Sequence, residues 1–443
     1  MSSISPADAR SQMRRVVASS FTGSLIEYYD FMLYSTASAV VFGKVFFSNL
    51  DGLTATIASF ATFAAGYLAR PIGGIVFGHF GDRLGRKKML VLTMTLMAGV
   101  STVIGLLPTY AAIGFWAPLL LTLLRVVQGI AVGGEWGGAV LMTAEHATSR
   151  RGLWASFTNA GAPAGLVLST AVMSATAGLT TDAQFLSWGW RIPFLLSLGL
   201  LAVGLYIRLS VRETPAFEQL HEAVHDRGFP LLEVLRDHWR NLLLTVGVGL
   251  GAFIAQGTLT TFVVAYAVNV GFARPSVLNA LTIASACSVV LIPVWAGLTD
   301  RVGRRPVILA GAVSMGVFAF ALFPLIRTGS WPMLLIALVI GVGILHPAWY
   351  GPLAALCSEM FSTSSRYTGA SLGYQLAGIG AGVAPLIFTS MQKSFDNNTI
   401  GVSLIVAAFA LLSVACVLAI SETRHRNLAE PVAADNEFER QTL

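Results

Sequence analysis

"GHFGDRLGRKK", residues 78–88, returns later in the chain as "AGLTDRVGRRP", residues 296–306. Both copies contain D-R-x-G-R-[KR], and both follow a long apolar run. Each reads as a tight hairpin. Gly78, Gly81 and Gly85 permit close approach and backbone angles that other residues resist. Asp82 is suited to accept helix N-terminal amides, and Arg83, Arg86 and Lys87 to anchor at lipid phosphates or pair with an acid such as Glu145. The second copy offers Asp300, Arg301, Gly303 and Arg304 at the same spacing, with Ala296 where Gly78 stands in the first. A second echo follows, Glu145 with Arg151 and Glu359 with Arg366. A basic turn that only fixes topology explains the charge but not its repetition. Matching loops in two halves mark internally duplicated transporters, whose substrate site lies near the midplane between the halves.

Composition agrees. Of 443 residues, 55% are hydrophobic and 11% charged, with a mean hydropathy of +0.71. Soluble domains carry about 25% charged residues, so the chain reads as a polytopic membrane protein. At roughly 20 residues per span there is room for about twelve. Apolar runs place them near 17–47, 54–81, 88–108, 112–144, 151–178, 188–210, 240–270, 276–299, 306–327, 331–360, 366–392 and 400–421. The first apolar run is too long for a signal-peptide core and is expected to remain as a span. The polar stretch from Arg212 to His238 divides six spans from six; with His221, His225 and His238 it reads as a solvated loop, with a metal site as the minor alternative. The tail after Glu422 is polar and expected to be mobile.

Lysine and arginine collect on one set of loops, which sets the N-terminus inside. That asymmetry absorbs the excess of 28 basic over 22 acidic residues, and nucleic-acid binding is not needed. Cys287, Cys357 and Cys416 are scattered through apolar segments and read as small buried hydrophobes.

The Gly78, Asp82, Arg83, Gly85, Arg86, Lys87 loop resembles the signature of the major facilitator superfamily. "EYYDF" (27–31), "ARPIGG" (69–74), "RVVQGIAVGGEWGGA" (125–139), "GWRIPFLLS" (189–197) and "RYTGASLGYQLA" (366–377) resemble its metabolite:proton symporter branch, which includes carriers of shikimate, oxoglutarate, citrate and proline or betaine. The likeness spans residues 16 to 426. It implies an all-α membrane protein of twelve transmembrane helices in two six-helix bundles, with both termini cytoplasmic. The divisions are an N-terminal bundle 1–211, a central loop 212–239, a C-terminal bundle 240–422 and a tail 423–443. It also implies a monomer, alternating access and proton-driven uptake. The loops, with Asp300, Arg301, Gly303, Arg304, Glu145, Glu359 and Arg366, would latch the outward-facing state.

The charges inside the spans carry the chemistry. Glu27 and Asp30 share a helix face, with Tyr34 a turn further on. Ionised acids facing lipid cost roughly 2.5–3.5 kcal/mol each, so they should face the interior. Arg70 lies about 18 Å from Asp82 at helical rise, hence near the midplane. Arg125 is similarly central, and Glu135 follows about 15 Å closer to the cytoplasm. Three acids against two arginines leave one negative charge too many. Arginine stays protonated, whereas a carboxylate can neutralise by binding a proton. At least one acid is therefore expected to be protonated through part of a cycle, Asp30 or Glu27 first and Glu135 second. The alternative is a polar network that fixes helix packing.

Arg70 or Arg125 would clamp a substrate carboxylate in bidentate geometry. Within the superfamily the R-x-x-Q-G pattern, here Arg125, Gln128 and Gly129, accompanies proton coupling. Gln256, His346, Tyr350, Tyr374 and Gln375 supply uncharged polar groups from the second half, and the resemblance sets Asn159 facing them. Arg191 reads either as a gate near the outer surface or as an anchor. Small-xxx-small pairs (Gly129/Gly133, Gly134/Gly138, Gly161/Gly165, Gly378/Gly382) suit either sliding helices or tight packing.

No G-x-x-x-x-G-K-[ST] occurs, no metal-ligand spacing, and no nucleophile–base constellation. The expectation is a carrier of a small solute and protons with no cofactor, not an enzyme. An efflux antiporter should carry G-P-x-x-G-G in the fifth span, which "GAPAG" (161–165) matches poorly. A membrane sensor would need an appended signalling domain, for which the loop and tail are too short.

Overall fold

A computed structural model describes residues 6–84, 86–147, 149–210, 230–362, 365–394 and 398–426, with side chains outside the description at 6–12, 14–16, 78–90, 142, 145, 146, 207–210 and 230. Among the described residues every regular element is helical. This follows from a bilayer, where backbone polar groups must be satisfied within the segment.

Helix α1 is Pro6–Ala37, prolonged by a π-helical stretch Ser38–Phe42 and a last turn Gly43–Phe46. Then come α2 (Gly52–Leu84), α3 (Arg86–Leu106) and α4, which runs Trp116–Gly133 and resumes as Trp136–His146. Helix α5 is Arg151–Leu179 and α6 is Arg191–Ser210. In the second half α7 is Trp239–Gly257, extended through Thr258–Phe262 and Val263–Asn269. Helices α8 (Arg274–Val302) and α9 (Arg304–Arg327) follow. Helix α10 is segmented as Trp331–Leu338, Val339–Leu345, His346–Tyr350 and Leu353–Glu359. Helices α11 (Arg366–Ser394) and α12 (Ile400–Ala419) complete the set.

Nine helices among the described residues are long and apolar enough to span a bilayer. A tenth is counted if Asp182–Gly189 and Arg191–Tyr206, bent by 42°, form one span. Val91–Leu106 is a shorter apolar helix. Helix α1 is not in the set, and it holds Glu27 and Asp30 in its buried middle.

The breaks are where prolines, glycines and a buried acid sit. The 112–144 run is one apolar stretch by sequence, yet α4 turns at Gly134 and Glu135, and Glu135 stands at the N-cap of the second piece. The α10 run breaks at Gly351 and Pro352.

Helices approach to backbone contact where glycine allows it. A Cβ on Gly129 would collide with the Gly66 carbonyl, and one on Gly133 with the Arg70 carbonyl, so α2 and α4 cross without side chains between them. Gly161 and Gly165 bring α5 equally close to α1. Between the two sequence halves, α5 packs on α8 and α2 on α11. The turn between α8 and α9 needs Gly303, whose φ of 104° is in the left-handed region.

Residues 422–426, expected to be mobile, are packed against the protein instead. Glu422 accepts from the backbone N–H groups of Arg304 and Arg305, capping α9. Of the histidines in the central loop, His238 is buried beside Ser362 at 3.4 Å; His221 and His225 lie outside the described residues. Among the described residues no three His, Cys, Asp or Glu side chains come together.

Candidate functional site

Asp30, on α1, is 1% exposed. Its carboxylate accepts a short hydrogen bond from Ser197 on α6, and Ser101 on α3 lies against it too. Arg125, on α4, is wholly buried and donates to Gln128 Oε1 at 2.6 Å. Gln128 Nε2 donates onward to Ser101 Oγ at 2.8 Å. The guanidinium donates to Gln128 and Gln128 to Ser101, whose hydroxyl has its own hydrogen left to turn towards the Asp30 carboxyl. The acid and the arginine are thus linked through two neutral side chains rather than paired. Asp30, Glu27 and Glu135 are all buried, and among the described residues none forms an ion pair with Arg70 or Arg125. This differs from the balance of charges expected from sequence, because burial alone does not bring opposite charges into contact.

Aromatic faces replace carboxylates as the arginines' neighbours. The Arg125 guanidinium lies 3.9 Å from the Phe31 ring centroid and 4.2 Å from that of Tyr34. Tyr34 donates to Thr62 Oγ1 at 2.6 Å. Arg70 stands 5.1 Å from Phe31 and 5.0 Å from Tyr67. The ring quadrupole attracts cations at such distances, by about 2 kcal/mol or more when desolvated.

Between the halves is a chain of phenols. Tyr374 on α11 is hydrogen-bonded to Tyr350 on α10 at 2.5 Å and to Tyr28 on α1 at 3.2 Å. Trp136 stacks on Tyr374 with centroids 3.5 Å apart, and its Nε1 donates to Asn159 Oδ1 at 3.0 Å. Asn159 Nδ2 donates to the Tyr350 carbonyl at 3.2 Å. Gln375 donates to the Gly133 carbonyl at 3.0 Å. A cavity on the far side of Tyr350 is lined by Met32, Pro163, Gln256, Thr260 and His346 among others. Gln256 Oε1 and His346 Nε2 have no hydrogen-bond partner among the described residues.

The basic end has a different character. Asp300 accepts from the backbone N–H groups of Gly152 and Leu153 at 2.9 Å each, the N-terminus of α5, where negative charge is favoured. Glu359, fully buried, accepts from Arg304 Nη2 at 3.0 Å, Arg151 Nη1 at 3.2 Å and Thr423 Oγ1 at 2.6 Å. Arg304 also reaches Asp300 at 2.6 Å. Arg426 donates to the Glu359 carbonyl at 2.9 Å. Arg366 is buried and Arg301 exposed. The first copy of the loop, Gly78 to Lys87, and Glu145 have side chains outside the described residues. At the opposite end Arg274 bridges the halves to Asp182 at 2.7 Å, and Ser35 and Thr261 meet at 2.5 Å. Arg191 is an anchor: it donates to the Gly105 and Leu107 carbonyls at 2.8 Å, closing the C-terminus of α3.

Sequence reasoning did not single out Tyr28, Ser101, Trp136, Ser197 or the tail residues Thr423 and Arg426. Tyr28 was legible in principle, flanked by Glu27 and Asp30. Two serines in apolar helices carry no pattern.

The sequence profile of the Major Facilitator Superfamily matches residues 20–385 and, again, 252–438. The chain belongs to the major facilitator superfamily. It is 42% identical over 429 residues to the inner membrane metabolite transport protein YhjE of Escherichia coli K12, covering 94% of this chain and 95% of that one. It is 38% identical over 419 residues to the shikimate transporter of the same organism, covering 94% and 96%, and 32% identical over 443 residues to its proline/betaine transporter, covering 96% and 87%. The proton:xylose symporter XylE, bound to 6-bromo-6-deoxy-D-glucose, superposes with a TM-score of 0.73 at 18% identity, covering 95% of this chain and 98% of that one. The protein is thus a multi-pass membrane transporter with the major facilitator fold.

Proposed function

We propose that this transporter carries a small organic acid or zwitterion together with protons, inward across a bacterial inner membrane, by alternating access. The observation that carries the reading is Asp30: a carboxylate sealed among helices, held by serine hydroxyls and linked through Ser101 and Gln128 to Arg125. An ionised carboxylate without a counter-ion is costly at that depth, and binding one proton removes the charge. Arg125 keeps its charge throughout. The proton therefore resides on Asp30, and the hydrogen-bond chain reports its arrival to α4.

The solute occupies the space between the halves, where Gln256, His346 and Tyr350 offer hydrogen bonds and the phenol chain spans α1, α10 and α11. The Asp300–Glu359 cluster latches the cytoplasmic end, and its opening accompanies the inward-facing state. The relatives support the solute class: one is a shikimate transporter and another a proline/betaine transporter.

The test uses purified protein in liposomes with a lumenal pH dye and no imposed gradient. Shikimate, oxoglutarate, citrate, lactate, proline and betaine are added in turn. Lumenal acidification specific to one solute is the expected result. Lumenal alkalinisation would establish antiport instead, and solute counterflow without any pH change would establish uncoupled transport.

A further inference from the structure

Two guanidinium groups share one ring. Arg70 and Arg125 both face Phe31, at 5.1 and 3.9 Å, and neither has a carboxylate partner among the described residues. Their situations differ. Arg125 has one nitrogen committed to Gln128 and through it to the Asp30 chain. Arg70 is 0% exposed, and Nε, Nη1 and Nη2 all fall short of hydrogen-bond geometry with any described residue, although the Tyr28 and Tyr67 phenols lie against the guanidinium. A buried arginine fork with five N–H donors, no carboxylate and only phenols nearby is a costly arrangement for a protein interior. Cation–π contact with Phe31 and Tyr67 offsets part of the cost but leaves the donors unused.

The surroundings are shaped for an acceptor. Arg70 lies on α2 where that helix packs on α11 of the other half. Facing it on α11 is Gly378, where even an added Cβ would come no closer than 3.8 Å to Nη1. The phenols of Tyr28, Tyr67 and Tyr374 lie close enough to act on its charge, Tyr28 by hydrogen-bond contact. The hydroxyl chain Tyr350–Tyr374–Tyr28 leads from the cavity wall towards it. A planar anion of two oxygens matches the fork bidentately and accepts from phenols as well.

We infer that Arg70, rather than Arg125, seats the carboxylate of the transported solute, in a subsite between α2 and α11 completed by tyrosine hydroxyls. The inference rests on the transport reading above and narrows it. A ligand held there touches both halves at once, so its binding favours the arrangement that brings α2 and α11 together. Betaine and proline satisfy the subsite through their carboxylates, as hydroxylated acids do; neutral sugars do not.

The test is ligand-induced thermal stabilisation of the purified protein, which needs no proton movement. The probes are shikimate and lactate, each against its methyl ester, which removes the charge and keeps the rest of the molecule. Wild-type protein is expected to prefer each acid over its ester by roughly 100-fold. Arg70→Met is expected to abolish that preference while the ligand-free protein melts at the same temperature or higher, because an unpaired buried charge has gone. Arg70→Lys, which keeps charge but loses the fork, should retain roughly a tenth of the affinity. Three results would overturn the inference: no acid preference in wild type, an acid preference that survives in Arg70→Met, or a lowered melting temperature in Arg70→Met with acid and ester binding lost in equal proportion. Acid preference without proton uptake in the liposome assay would remove the symport reading and leave this one standing.

Discussion

At the basic end of the protein Glu359 sits between Arg304 and Arg151 at 3.0 and 3.2 Å, and Asp300 closes both Arg304 and the start of α5. In the middle of the helices Arg70 and Arg125 lie on aromatic rings, and Asp30 is held by hydroxyls. Both regions bury charge that costs several kcal/mol per ion to desolvate. For Arg70, Arg125 and Asp30, unlike the first region, no ion pair among the described residues repays it. The difference teaches what each region is for. A saturated network is a fixture: it holds one arrangement and resists loss of any member. On the reading proposed above, an unsaturated one is a receptor for charge brought from outside, a proton for the acid and an anion for the arginine.

The sharpest way to break this contrast is to remove one charge from each region. Glu359→Gln leaves buried Arg304 with Asp300 alone and half-buried Arg151 without a carboxylate, and should cost about 3–5 kcal/mol. The check is a chemical or thermal denaturation of the detergent-solubilised protein, read beside Arg70→Met. Equal losses in the two variants would mean that both regions are structural fixtures and would end the distinction. A smaller effect is expected from Ser101→Ala, which cuts the chain between Gln128 and Asp30 while leaving both charges in place. Losing one such bond, with a donor left unsatisfied, costs about 1–3 kcal/mol. It should move the pH midpoint of uptake without changing solute affinity. An unchanged pH profile would show that Ser197 alone governs Asp30.

The smallest effect is at Glu422. Partial burial pushes its carboxyl up, but the backbone N–H groups of Arg304, Arg305 and Arg424 more than reverse this and hold it below the ordinary 4.5. A depressed folded value means that the cap stabilises above the unfolded value and is lost as the pH falls through the folded one. Glu422→Gln should therefore cost about 0.3–1 kcal/mol near neutrality and nothing once the carboxyl is protonated in acid. The measurement is the difference in melting temperature between wild type and variant from pH 7 downward. A difference that stays constant into acid would show that the carboxylate charge is irrelevant to the cap.

How much of this was legible beforehand depended on whether a residue's role is set locally or by distant partners. Hydropathy and the repeated D-R-x-G-R loop identify spans and family, because both are properties of contiguous sequence. Buried Glu27, Asp30, Arg70, Arg125 and Glu135 follow from the same logic, since charge inside an apolar run has few places to face. Their pairing did not follow. Asp30 meets Ser197 of α6, and Glu359 meets Thr423 beyond α12, by helix packing that no local pattern encodes. The start of the tail was expected to be mobile for the same reason: polar and short, residues 423–426 are held by partners far away in sequence. Gly129 and Gly133 lie on carbonyls of α2, the close approach that both readings of that glycine pair require.

The central claim is that Asp30 carries the coupled proton, and Asp30→Asn separates coupling from transport. Two assays on the same liposomes decide it: uphill solute accumulation on an inward proton gradient, and solute counterflow with no gradient. The account predicts that Asp30→Asn loses accumulation and keeps counterflow, since the neutral amide mimics the protonated acid permanently. Accumulation at the wild-type level in the variant would contradict it and move the proton to Glu27 or Glu135.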